Sequence, residues 1–68
     1  MAKSKELLEK AITIDPKYSY AYYALALAYE KEKNYDTAIE HYQKFLELSN
    51  DNQLKSQIKA KINYLKSK

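Results

Sequence analysis

The sequence predicts an all-α protein, four helices stacked antiparallel through helix–turn–helix connections, and three observations carry that reading. The 68 residues contain no Gly, no Cys and a single Pro, and are rich in Ala, Leu, Lys, Glu and Gln, the good helix formers. Apolar residues recur at helical spacing, most densely from Tyr20 to Tyr29 in the stretch YAYYALALAY. The chain also repeats itself. Displaced by 34 residues, Glu6 falls on Glu40, Lys10 on Lys44, and Leu8, Ile12 and Ile14 on Tyr42, Leu46 and Leu48.

The first helix is expected over residues 4–14, with Ser4 as N-cap and Glu6 in the first turn. Leu7, Leu8, Ala11, Ile12 and Ile14 form its apolar side. Asp15-Pro16 ends it, because Pro cannot continue a helix and forces the preceding residue into an extended conformation. Lys17 and Tyr18 connect to the second helix, residues 19–32. That helix carries two stripes: Tyr22, Leu25, Ala26 and Tyr29 on one face, Tyr20, Tyr23, Ala24 and Leu27 on the next. A surface helix of a lone domain needs one stripe, so one is assigned to the core and the other to a working surface. Ala21 and Ala28 permit close approach of a neighbouring backbone. Lys33-Asn34 ends the helix, Asn34 serving either as a left-handed residue or as the cap of the next helix.

The third helix, residues 35–48, places Tyr35, Ala38, Ile39, Tyr42, Phe45 and Leu46 on one face, with Glu40 and Lys44 as an outer i, i+4 pair. Ser49-Asn50-Asp51-Asn52 supplies a turn and a cap. The fourth helix, residues 53–66, is apolar only along Leu54, Ile58, Ile62 and Leu65, the profile of a lid that closes a stack. Tyr22, Leu25, Tyr29, Ala38, Tyr42 and Phe45 are the expected core.

Composition excludes several functions. Without Cys there is no disulfide and no thiolate metal site, and without Gly phosphate-binding loops and nucleophile elbows are disfavoured. His41, the single His, has no positioned carboxylate or second ligand in sequence and is expected to face solvent. No catalytic residues, metal ligands or cofactor are expected. The start, MAKSKELLEK, has no secretory core, and residues 21–29 are too short to span a bilayer, so a cytoplasmic location without membrane association is expected. The net charge of +3 is uneven: Lys55, Lys59, Lys61, Lys66 and Lys68 lie beyond the last acid, Asp51. They read first as a solvated helix face and secondly as a patch for nucleic acid or an anionic surface. All twelve basic residues are Lys, which counts against specific phosphate or base recognition.

A 34-residue period of helix pairs is the mark of tetratricopeptide arrays, and the chain resembles that family. Tyr22, Leu25, Ala26 and Tyr29 match its aromatic-x2-Leu-small-x2-Tyr signature, Ala38 and Tyr42 its second-helix positions, and Pro16 its helix-ending Pro. Four departures stand out: Ala26 and Lys33 where Gly is usual, Phe45 for a small Ala, and Asn50 for a second Pro. The resemblance implies one domain over residues 1–68: a half-repeat helix (4–14), a full repeat (19–48) and a capping helix (53–66). It also implies protein–protein interaction through a concave face lined by Tyr20, Tyr23, Leu27, Glu30 and Lys31. Tyr23 and Leu27 stand where carboxylate-clamping members carry polar groups, so the implied partner is an apolar or aromatic protein or peptide rather than an acidic one. The first helix lacks its repeat partner, which leaves Leu7, Leu8 or Ile12 uncovered; either the chain is a fragment of a longer array, or it completes itself as a homodimer or domain swap. The alternatives are binding through the C-terminal lysines, or an engineered or excised fragment without its own function.

Overall fold

A computed structural model describes the chain over residues 2–68, its side chains from residue 5 onward, as four helices: α1 (Ala2–Ile14), α2 (Ser19–Lys31), α3 (Tyr35–Leu48) and α4 (Asn52–Lys66). The expected spans differ only at their ends. α1 already contains position 4, so Ser4 does not precede the helix as a cap residue, and its side chain lies outside the described residues. α2 stops one residue early, with Glu32 as its C-cap, and α4 starts one residue early.

Each helix packs on its neighbours in sequence, α1 on α2, α2 on α3 and α3 on α4. The Cα atoms fill a slab of 31 × 27 × 13 Å. This order explains the two stripes of α2: a helix covered on both sides is apolar on both sides. Ala21, Leu25 and Ala26 are fully buried there, and Ala26 shares one core cluster with Ala38, Tyr42 and Phe45 of α3. Ile58, Ile62 and Leu65 close the core from α4, as a lid should. Leu25 and Tyr42 are the largest fully buried side chains, each contributing about 2–3 kcal/mol of apolar transfer free energy.

Tyr22 and Tyr29, expected in the core, pack against it but are half-buried rather than enclosed. Their hydroxyls are the reason, because a phenol keeps its polar tip near a partner or water. The Tyr22 hydroxyl donates to the Pro16 carbonyl (3.3 Å) and that of Tyr29 to Glu9 Oε1 (3.5 Å), so both tie α2 to α1 and its turn.

Local chemistry sets the three turns. Asp15 makes an Asx turn, its Oδ1 accepting from the Lys17 N–H (3.2 Å). At the end of α2 the left-handed residue is Lys33 (φ 63°), not Asn34, which instead takes the N-cap position of α3. The Asn34 N–H donates to Tyr29 O and the Lys33 N–H to Glu30 O, both at 2.9 Å, the two bonds of a Schellman motif. That motif requires positive φ at Lys33 whatever the side chain, at a cost of about 1 kcal/mol for a residue with a Cβ. Asp51 caps α4 by accepting from the Leu54 N–H (3.1 Å). The expected Glu40–Lys44 pair does not form, since Lys44 reaches Glu47 instead (3.6 Å), an exposed pair of little energetic weight.

Candidate functional site

Of the five residues expected to share one face, the structure brings three together. Tyr20 and Tyr23 meet in a tilted pair with ring centroids 5.8 Å apart, and Tyr23 continues onto Phe45 (5.5 Å) and Tyr42 (6.3 Å). Tyr18 extends the series outward, 6.4 Å from Tyr20. A ladder of rings therefore runs from solvent, where Tyr20 is 57% exposed, into the core. Leu27 lies one turn further along α2, and with Tyr23 it lines a cleft of about 160 Å³. The second stripe is thus the half-buried wall of a cleft, with Tyr20 as its exposed end.

The opposite wall comes from α4, which supplies Leu54, Gln57, Ile58 and Lys61. Sequence reasoning treated α4 only as a lid and missed these residues. The signal was the same 34-residue displacement applied once more: Tyr20, Tyr23 and Leu27 fall on Leu54, Gln57 and Lys61. α4 occupies the place of a repeat's first helix and presents the corresponding positions.

Glu30 does not offer its carboxylate to the cleft. Tyr42 is fully buried and its hydroxyl needs an acceptor, which Glu30 Oε1 provides at 2.7 Å. Glu30 Oε2 takes Lys61 Nζ at 3.0 Å, so a single carboxylate joins α2, α3 and α4. Burial first, then this hydrogen bond, holds the Tyr42 phenol well above its ordinary value of 10. Lys31 is exposed in the last turn of α2 and lines no part of the cleft.

His41 is half-buried rather than solvent-facing. Its ring lies between Tyr29 (5.2 Å) and Tyr22 (6.2 Å), and Nδ1 is 2.9 Å from the Thr37 carbonyl, a bond that requires the proton on that nitrogen. The correction follows from α2, whose two tyrosines cover more of α3 than a single helical stripe suggests. Lys5 completes this second aromatic group, its Nζ lying 4.9 Å above the Tyr29 ring and 2.6 Å from Glu32 Oε2. The hydrogen bond to Glu32 raises the Lys5 pKa above its usual value.

A larger cleft of about 350 Å³ lies between the α2–α3 turn and the end of α4, lined by Lys33, Tyr35, Asp36, Ile39 and Lys66 among others. None of the five expected concave-face residues borders it, whereas the terminal lysines Lys66 and Lys68 do. Among the described residues no group of His, Asp and Glu is arranged to hold a metal ion, and no helix is long and apolar enough to cross a membrane.

Comparison with known proteins bears on the family and the fold. Residues 7–40, half of the chain, match the family model described as Tetratricopeptide repeat. The matched stretch is one period long, begins within α1, contains all of α2 and ends in α3. Searches of curated proteins and of solved structures return no significant match. Helix pairs recurring every 34 residues, the aromatic-Leu-small-Tyr signature on a doubly packed helix, and the family match converge: the chain belongs to the tetratricopeptide repeat family.

Proposed function

We propose that the chain is a non-enzymatic, cytoplasmic protein–protein interaction module whose Tyr20, Tyr23 and Leu27 face seats an apolar or aromatic segment of a partner protein, and that it associates with itself. The reading rests on one observation, the open cleft walled by Tyr23 and Leu27 on one side and Leu54 and Gln57 on the other. Its aromatic ladder offers rigid contact area with hydroxyl tips, the composition of interaction hot spots. The one lysine in the cleft, Lys61, is bonded to Glu30, so an acidic ligand finds its cation already neutralised. Glu30 is occupied by Tyr42 and Lys61, and Lys31 stays outside the cleft. The one hydroxyl–carboxylate pair beside the cleft, Tyr42 with Glu30, is committed to the core, its phenol buried and held well above its ordinary pKa, so it is no activated nucleophile and binding without catalysis is the function assigned. Binding of nucleic acid by the terminal lysines is the weaker reading. Lys61 is engaged by Glu30, and Lys68 lies 4.6 Å above the Tyr64 ring.

The test is selection from a displayed library of random peptides. Enrichment of Leu-, Phe-, Tyr- and Trp-rich sequences whose binding is lost in Tyr20→Ser and Leu54→Ser supports the assignment. Enrichment of acidic sequences, or binding indifferent to both substitutions, refutes it.

A further inference from the structure

The most exposed large apolar side chains of the described residues are not in the cleft. Ile14 is 84% and Leu7 67% exposed, both on α1. They lie seven residues apart with Ala11 between them, one stripe on the side of α1 away from α2. The 34-residue displacement shows what this stripe is. Leu7, Leu8 and Ala11 correspond to His41, Tyr42 and Phe45, the residues of α3 that α2 covers with Tyr22, Tyr23, Tyr29 and Glu30. α1 therefore presents a helix-binding face with no helix of the described chain on it. The far end of the stack is built differently. The positions of α4 that correspond to Tyr22, Leu25, Ala26 and Tyr29 are Ser56, Lys59, Ala60 and Asn63, all exposed and polar except Ala60. One end is finished for water and the other is not.

We infer that two copies of this chain pair through the Leu7/Ala11/Ile14 face of α1 about a two-fold axis. The proposal rests on the self-association reading above and adds its surface and its symmetry. Two arguments select a second copy in this arrangement. Head-to-tail stacking would set Leu7 and Ile14 against Ser56, Lys59 and Asn63, an apolar face on a polar one, so an open filament is disfavoured. The α1 stripe finds its apolar counterpart in itself, which makes the contact isologous and closed. Leu7 and Ile14 expose roughly 270 Å² per copy, so a pair with its rim buries somewhat under about 1,000 Å² in total, the range of weak contacts. The dimer is accordingly weak, with Kd on the order of 10–100 µM. The Leu7/Ala11/Ile14 contact is apolar, so added salt leaves the pair intact. The cleft between α2 and α4 stays open in both copies, which makes the dimer bivalent.

The experiment is sedimentation equilibrium from 5 to 500 µM at low and high salt, on the wild type, the Leu7→Lys/Ile14→Lys double variant and Tyr20→Ser. The substituted α1 positions are exposed, and a matching circular-dichroism melt at low concentration checks that the double variant folds. The expected result is a salt-tolerant wild-type dimer, at least tenfold weaker in the double variant and unchanged in Tyr20→Ser. Ala11→Cys, which becomes the single cysteine, should then cross-link into a disulfide dimer far faster than Tyr20→Cys. A wild type monomeric to 500 µM overturns the proposal together with self-association. Dimerisation lost in Tyr20→Ser but kept in the double variant overturns the α1 surface and leaves self-association standing. Mass rising without limit overturns the two-fold geometry, as does slow cross-linking of Ala11→Cys.

Discussion

Replacing Tyr42 with Phe removes one oxygen from the most heavily shared point of the fold. The ring keeps its packing against Tyr23, but Glu30 Oε1 loses the donor it holds at 2.7 Å. A hydrogen bond to a charged group contributes about 1.5–3 kcal/mol. Glu30 retains Lys61 and is only half-buried, so water replaces part of the loss and the lower figure applies. At about 1.5 kcal/mol the variant should melt roughly 10 °C below the wild type at pH 7. The pH dependence gives a second, sharper signature. The folded phenol titrates above its unfolded value of 10, so its contribution is fully present below pH 10 and declines as pH rises beyond it. One unit above that value the wild type has lost about 1.4 kcal/mol that the Phe variant never had, and the two melting curves converge near pH 11. Titrations common to both proteins cancel in the difference. Thermal melts followed by circular dichroism at pH 7, 10 and 11 measure it. Equal melting temperatures at pH 7, or a gap that stays constant to pH 11, would refute the reasoning.

Two further substitutions test the turns. Lys33→Gly relieves the left-handed Cβ and should stabilise the chain by about 1 kcal/mol, seen as a melting temperature several degrees higher; a lower one would show that Lys33 makes compensating contacts. Asp51→Ala removes the cap on the Leu54 N–H and should cost about 1 kcal/mol in urea unfolding, with Asp51→Ser restoring most of it. Lys61→Met should barely change stability, because the methionine stem still covers the cleft wall while a partly exposed ion pair is lost; a loss above about 1 kcal/mol would mean that the pair itself holds α4 in place.

Most of the fold was legible in the sequence for identifiable reasons. Helix formers without Gly, one Pro at a helix end and a 34-residue period fixed four helices to within two residues. The narrow stripe of α4 marked it as a lid, and Ile58, Ile62 and Leu65 are buried accordingly. The grouping of Tyr20, Tyr23 and Leu27 followed from helical spacing alone. What spacing could not convey is how helices share atoms. The bond from Tyr42 to Glu30 joins residues twelve apart on different helices, and its existence depends on how α3 is rotated against α2. That rotation also decides that His41 slots between two tyrosines. Phenol chemistry misplaced Tyr22 and Tyr29, since the periodic pattern counts Tyr as apolar and disregards its hydroxyl. At Lys33 the motif's hydrogen bonds dictate left-handed geometry regardless of residue type, so the tolerance of Asn was a misleading guide.

The central claim is that a partner's apolar segment sits between α2 and α4. Amide and side-chain NMR shifts, recorded while a library-selected apolar peptide is titrated into the full chain, test it most directly. The account predicts perturbations concentrated at Tyr20, Tyr23, Leu27, Leu54, Gln57 and Lys61, unchanged in pattern by added salt. Perturbations concentrated instead at Lys59, Lys66 and Lys68 and erased by salt would contradict it.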